Sequence, residues 1–284
     1  MVSRWLDRIL LLTKLRMRMR VRVFRRDFVK LCAVECSADE AAQVEAISTQ
    51  EIAQLGRGME FYLETKRVIP PLYVLCLGQE ARLDKMPAAV KRWTADPFGG
   101  GVWLRELRTG IALFEDGNPI RRIVVHELTH ALLDVLTDGF AYPLTVVEGF
   151  ARRAEWLLPD CDGVIPWKEH SAGLGASGGG CVDEHHYMSI RDLLFFDPKR
   201  YWRKDMQAFF RMTELSFWLN CYLFGLSDER SSLPRILAIL RQKNVRTSEG
   251  VHLWLQEVTG MGEQELESHF HSFCTTGVIP LLSS

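Results

Sequence analysis

The feature that most constrains this chain is an apolar stretch interrupted by two histidines and a glutamate, IVVHELTHALLD at residues 123–134. Residues four apart lie one turn along the same face of an α-helix, so His126 and His130 can direct their imidazoles at one point. Glu127 lies about 100° around the helix axis from His126 and flanks that point. The apolar residues on both sides of the motif predict a buried, rigid helix, which suits a preorganised metal site.

A second glutamate, in the next predicted helix, adds a third possible ligand. The sequence PLTVVEGFA at residues 143–151 begins that helix and contains Glu148. If the two helices form an antiparallel pair around Asp138-Gly139, Glu148 faces both histidines. Two neutral histidines and one carboxylate leave the fourth position of a zinc ion open for water, as in catalytic zinc sites. Glu148 is also explained as an acidic residue near a helix N-terminus, where the helix dipole favours it.

Together, HELTHALLD and PLTVVEGFA resemble the gluzincin metallopeptidases, in which HExxH is followed by a ligand glutamate in an Asn-Glu-Gly-hydrophobic-Ala context. The resemblance covers about residues 95–275. Within the gluzincins, the sequence looks most similar to the bacterial peptidase MA-like branch. It includes a Gly-rich hairpin, FGGGVWLRELRTGIALFEDG, and a later helical segment, HLWLQEVTGMGEQELESHFHSFC. The sequence departs from the family pattern at Thr145 and Val147, where tryptophan and asparagine are usual.

This resemblance implies a zinc-dependent peptidase with one Zn²⁺ per chain. The implied metal ligands are His126, His130 and Glu148, and the implied general base is Glu127, acting on a metal-bound water. The expected substrate is a peptide or protein. A predicted strand over residues 102–107 slightly favours an endopeptidase, because an extended peptide can pair with an edge strand.

Other side chains near the motif are candidates for supporting roles. Asp134, one turn beyond His130, is either the partner of a ligand imidazole or a solvated helix residue. Glu155 follows Glu148 by seven residues on the same helical face and is a candidate imidazole partner or a fallback ligand. The sequence does not choose the hydrogen-bond donor for the reaction's oxyanion. The candidates for that donor are His185, His186, Tyr187, Tyr201 and Tyr222.

Periodicity and turn residues predict an α+β fold, zincin-like, with a small β-sheet in the N-terminal half and a mostly helical C-terminal half. Helices are predicted over 38–66, 79–92 and 144–157, a buried strand over 72–77, and a hairpin of strands 102–107 and 111–114. The metal site is expected between two helices. We divide the chain into a basic segment (1–36), a zincin-like part bearing HExxH and the third-ligand helix (37–157), and a Gly-rich loop with a helical part that completes the cleft (158–284).

The basic segment admits two interpretations. Residues 15–23 alternate apolar side chains with arginine, which predicts an exposed edge strand. Arg25-Arg26 also resembles a twin-arginine export signal, although the apolar stretch after it is short and contains Glu35. The seven cysteines include no Cys-x-x-Cys pair, which favours a reducing compartment. We therefore expect a cytoplasmic protein, with export through a degenerate twin-arginine signal as the alternative.

Two other functions are consistent with parts of the sequence. A non-catalytic, zinc-stabilised scaffold would explain the changes at Thr145 and Val147, but a structural zinc site does not need Glu127. A binding protein acting through its Arg-rich N-terminus is the other alternative. The net charge of −1 gives no reason to expect nucleic acid as a partner, and no apolar run reaches the ~18 residues of a transmembrane helix. Natural substrate, cleavage preference and oligomeric state are left open.

Overall fold

The computed structural model describes residues 19–26, 28–47, 71–79, 81, 100–114, 120–136, 143–157, 187–197, 206–225 and 247–276 of the 284-residue chain. These residues form an α+β protein with one small mixed sheet, and most of them are helical. The chain divides into two compact units. The first comprises Met1–Val135 with Ala154–Pro159, and the second comprises Leu136–Arg153 with Asp160–Ser284.

The first unit contains a five-stranded sheet with the strand order β1-β2-β3-β5-β4. Strands β1 and β2 form an antiparallel hairpin, strands β2, β3 and β5 run parallel, and β4 runs antiparallel to β5. Among the described strands, β1 and β4 are therefore the two edges. The strands are β1 (Val21–Arg26), β2 (Val29–Val34), β3 (Leu72–Leu77), β4 (Gly101–Leu104) and β5 (Thr109–Leu113).

Both faces of the central strands are buried, which explains their nearly continuous apolar sequences. One face, carrying Leu31 and Val74, packs against helix α1, which begins at residue 38 and continues to residue 47, and against helix α2 (Ile120–Leu136). The opposite face carries Val34 and Leu75 in a separate cluster. Because successive side chains point to opposite faces, the strand register decides which side chains α2 contacts.

Helix α1 begins with the capping box that its sequence predicts. The Ser37 hydroxyl accepts the Glu40 N–H at 3.2 Å, and the Ser37 N–H donates to the Glu40 carboxylate at 2.7 Å. The same carboxylate accepts the N–H of Gln79 at 2.9 Å, so it also holds the chain that leaves β3. Burial raises the pKa of Glu40, but these hydrogen bonds outweigh it, and the net pKa is below the ordinary value of 4.5.

Several predicted elements are confirmed. Residues 72–77 form β3, and residues 144–157 form helix α3 (Leu144–Leu157). The helix predicted over 38–66 is confirmed over 38–47, and residues 48–66 lie outside the described part of the chain, as does nearly all of the predicted helix 79–92. The edge strand predicted over 15–23 is confirmed over 21–23 and continues to Arg26; Met19 and Arg20 precede it, and residues 15–18 are outside the described ranges. Arg25 and Arg26 are paired with Lys30 and Val29. The sheet thus begins before residue 37.

The predicted strand over 102–107 is wrong for its last three residues. Arg105–Leu107 form a 3-10 helix, which Arg108 closes in the left-handed conformation with φ of 48°. In a regular strand Arg105 and Leu107 would point to the same face of the sheet. In the 3-10 helix, Arg105 instead approaches Asp134 of α2, with Nε 2.7 Å from the carboxylate, while Leu107 packs in the cluster on the opposite face.

The described part of the second unit is helical. It contains the first part of α3 and helices α4 (Ile190–Leu194), α5 (Met206–Gly225), α6 (Ser248–Thr259) and α7 (Glu263–Thr276). Helices α5 and α7 pack through aromatic rings, with Tyr222 5.7 Å from Phe270 and 5.5 Å from Phe273 between centroids. None of the helices in the described ranges combines the length and apolar character needed to cross a membrane.

Replacing Glu40 tests whether its carboxylate holds α1 and the end of β3. Glu40→Gln should lower the free energy of unfolding at pH 7 by about 1 kcal/mol, because several N–H groups lose a charged acceptor. A carboxyl with a lowered folded-state pKa stabilises the fold above the unfolded value of 4.5 and loses this effect as pH falls through the folded pKa. In urea unfolding, the difference between variant and wild type should therefore shrink as the pH is lowered below 4.5.

Glu45→Gln is the charge-matched control, since Glu45 is an exposed glutamate of the same helix. A difference for Glu40→Gln that stays constant as the pH is lowered from 7 to well below 4.5 would show that the carboxylate's charge is not responsible.

Candidate metal centre

Helix α2 places His126 and His130 on one face with their rings in contact. Their Nε2 atoms are 2.9 Å apart, and the rings meet edge to face with centroids separated by 4.6 Å. At this distance either one Nε2 carries the proton of an N–H···N hydrogen bond or a cation lies between the two nitrogens, since two lone pairs would repel. Both Nε2 atoms therefore face one common point.

A carboxylate on α3 fixes the orientation of His126. Glu155 Oε1 lies 2.6 Å from His126 Nδ1, and the two side chains are only 7% and 15% exposed. Because an ionised carboxylate can only accept, the proton of this hydrogen bond belongs to Nδ1, and the lone pair of Nε2 is left for a metal. Pairing of this kind orients a ligand histidine and increases its basicity.

Glu148 completes a group of three possible ligands. It lies about two turns before Glu155 on α3 and hence on the same face of that helix. The ligand atoms of His126, His130 and Glu148 all lie within 4.8 Å of one another, and each residue is partly buried. Ligands of one tetrahedral zinc ion at ~2.0–2.2 Å are ~3.3–3.6 Å apart, and the observed separations of at most 4.8 Å are close to that spacing. Within the described ranges, no other group of His, Cys, Asp and Glu meets this criterion.

The glycine after Glu148 permits a close approach between two helices of the second unit. A Cβ at Gly149 would lie 2.4 Å from the carbonyl oxygen of Ser216 on α5 and 3.2 Å from the Cβ of Asn220. Only glycine allows this packing without displacing the α5 backbone. One turn earlier, the buried hydroxyl of Thr145 donates to the carbonyl of Leu193. Glu148 thus lies between two positions of α3, Thr145 and Gly149, that contact backbone carbonyls of α4 and α5.

Glu127 is buried, at 3% exposure, against the β4–β5 hairpin. A Cβ at Gly101 would lie 2.6 Å from Glu127 Oε1, and a Cβ at Gly110 would lie 3.2 Å from the Cβ of Glu127. The carboxylate that adjoins the two histidines in sequence therefore occupies space left by two glycines. The sequence pattern identified Glu127, but not these glycine contacts; glycines inside strands are the signal for them, since they often mark a close approach.

Asp134 has a partner that the sequence did not predict. Its carboxylate pairs with Arg105, and its side chain is 9% exposed, so it is not a solvated helix residue. The pair joins α2 to the 3-10 helix after β4. The role of imidazole partner, for which Asp134 was one candidate, is filled at His126 by Glu155.

Of the five candidate oxyanion donors, only Tyr187 and Tyr222 lie in the described part of the chain. His185, His186 and Tyr201 lie outside the described residues. The Tyr187 hydroxyl donates to the Glu267 carboxylate at 3.0 Å, and burial together with Glu267 raises its pKa. Tyr222 is fully buried, and burial raises its pKa to about 12. Which of the five would serve as the donor stays a prediction.

Comparison with known proteins assigns no family to the chain. No protein-family model matches it, and no curated protein matches it either.

The Glu155 carboxylate should strengthen metal binding through His126. Glu155→Ala should weaken the affinity for a divalent metal about 10- to 100-fold, as loss of a histidine's carboxylate partner typically does. Glu155→Gln should lose less metal affinity than Glu155→Ala, since the amide oxygen of glutamine still accepts a hydrogen bond from His126 Nδ1. Competition with a chelator of known affinity measures the change.

Glu249→Ala, which removes an exposed carboxylate on α6, is the control for this comparison. Equal affinities for Glu155→Ala and wild type would show that Glu155 does not support a metal ligand.

Proposed function

We propose that this chain is a zinc-dependent peptidase with a zincin-like fold, of the gluzincin type. In this proposal His126, His130 and Glu148 bind one Zn²⁺, and Glu127 is the general base. The strongest support is the grouping of three ligand atoms within 4.8 Å of one another, two of them on the helix that also carries the buried Glu127 and the third on α3. Two imidazoles and one carboxylate form a donor set that suits zinc and leaves a position open for a reactant.

In the proposed hydrolysis, the zinc ion and the protein side chains have different roles. Zinc, when bound, supplies a Lewis acid that polarises the scissile carbonyl and lowers the pKa of water towards ~7. The carboxylate of Glu127 accepts a proton from the attacking water and delivers it to the leaving nitrogen as the C–N bond breaks. Glu155 holds His126 with Nδ1 protonated, so that its Nε2 faces the ligand group.

The burial of Glu127 favours catalysis over a purely structural zinc site. A structural zinc ion is held by four protein ligands and needs no base. Burying a carboxylate beside apolar side chains is costly, so its presence on the buried face of α2 calls for a reason other than packing. Proton transfer at the metal group supplies such a reason.

The edge position of β4 favours an extended peptide as substrate. Strand β4 pairs with β5 on one side, and no described strand pairs with its other side. An extended peptide can add to such an edge through main-chain hydrogen bonds. This mode of binding needs no free terminus and therefore favours an endopeptidase.

The proposal is tested with Glu127→Gln, which keeps the size of the side chain and removes the base. Wild type and variant should both retain zinc, while the variant's hydrolysis of a peptide library should fall by about 10²–10⁴-fold. Mass spectrometry of the products measures cleavage, and peptides with blocked termini separate endopeptidase from exopeptidase activity.

Glu249→Gln is the matched control on an exposed surface and should leave hydrolysis unchanged. A wild-type chain that holds zinc stoichiometrically but cleaves no peptide would contradict the proposal and support the zinc-stabilised scaffold instead.

A further inference from the structure

Two glycines of the β4–β5 hairpin leave a cradle for the side chain of Glu127. A Cβ at Gly101 would lie 2.6 Å from both Glu127 Oε1 and Ile123 Cγ2. A Cβ at Gly110 would lie 3.2 Å from the Cβ of Glu127 and 3.3 Å from Val74 Cγ2. A side chain at Gly101 would displace Glu127, and one at Gly110 would crowd it, so the hairpin provides space that the carboxylate fills.

Trp103 neighbours both glycines on the same face of the hairpin. It follows Gly101 by two positions on β4 and is directly paired with Gly110 on β5. Residues two apart on a strand share a face, and directly paired residues have Cβ positions ~4.5–5.5 Å apart. Trp103 packs against the core cluster that includes Ile123 and Val124 of α2. Its indole therefore adjoins the space that Glu127 occupies.

The indole nitrogen of Trp103 is a buried donor, and no described residue accepts its hydrogen bond. Buried polar groups in folded proteins nearly always have a partner, because an unmade hydrogen bond is costly. The indole N–H can only donate, so its partner must be an acceptor. The nitrogen is also shielded from solvent, which favours an acceptor from the protein over a bound peptide.

We propose that Trp103 is a positioning residue whose indole N–H donates to the Glu127 carboxylate within the cradle of Gly101 and Gly110. Among the described residues, the structure places no acceptor within hydrogen-bond distance of Trp103 Nε1, so this bond requires a rotation of the Trp103 or Glu127 side chain. A hydrogen bond to an ionised acceptor is stronger than one between neutral groups, which favours that rotation. Only the catalytic role of Glu127 rests on the proposed function. The hydrogen bond also links Glu127 to the strand on which an extended peptide would dock.

The test uses the ¹⁵N-labelled full-length chain and the indole N–H signals of its eight tryptophans. Trp103→Phe identifies the Trp103 signal by its disappearance and keeps an aromatic ring in the core. Sequential resonance assignment of the wild type provides the same identification if this variant does not fold. Glu127→Ala should shift the Trp103 indole proton upfield by more than any other indole signal, because the donor loses a charged acceptor.

Glu155→Ala is the matched control, since it removes a second buried carboxylate that pairs with the other side of the His126 ring. It should leave the Trp103 signal in place. The inference would be overturned if the Trp103 signal did not shift in Glu127→Ala or shifted equally in Glu155→Ala. It would also be overturned if the signal shifted only when a peptide was added. No outcome depends on hydrolysis, so failure of the proposed function and failure of this inference are distinguishable.

Discussion

The hydrogen bond between Glu155 and His126 is the interaction on which the metal group depends. It joins α3 to the helix that carries both histidines, and it selects the tautomer in which His126 offers Nε2 to a metal. Glu148 and Glu155 share one face of α3, because they lie seven residues apart on that helix. One buried pair of side chains thereby sets the orientation of one candidate ligand.

The sheet constrains which side chains helix α2 can bury. Helix α2 packs on the sheet face that carries Leu31 and Val74, and it can carry a buried carboxylate there only because Gly101 and Gly110 leave room for Glu127. The Arg105–Asp134 pair holds the same hairpin to α2. The histidine face of α2 and its Glu127 face are therefore supported by different neighbours, which allows metal binding and the position of Glu127 to be perturbed separately.

Much of the candidate site was predictable because helical periodicity is local. The four-residue spacing of His126 and His130 and the position of Glu148 in the next helix require no knowledge of the fold. The choice between Asp134 and Glu155 as imidazole partner could not be made from sequence, because it depends on how α3 packs on α2. The same holds for the 3-10 helix at Arg105, where a tertiary ion pair accompanies a departure from strand geometry. Strand β2 is not among the predicted elements, because its short apolar run follows Arg25-Arg26 and fits the export-signal interpretation as well.

The central claim is that His126, His130 and Glu148 bind one zinc ion together, and metal analysis tests it most directly. Wild type, His126→Ala, Glu148→Ala and the surface control Glu249→Ala are purified without chelator, reloaded with zinc and dialysed, and their zinc content is measured. We predict about one zinc per chain for wild type and Glu249→Ala and near-complete loss for both ligand variants, with unchanged circular dichroism. A wild-type chain that neither carries zinc nor takes it up would contradict the account.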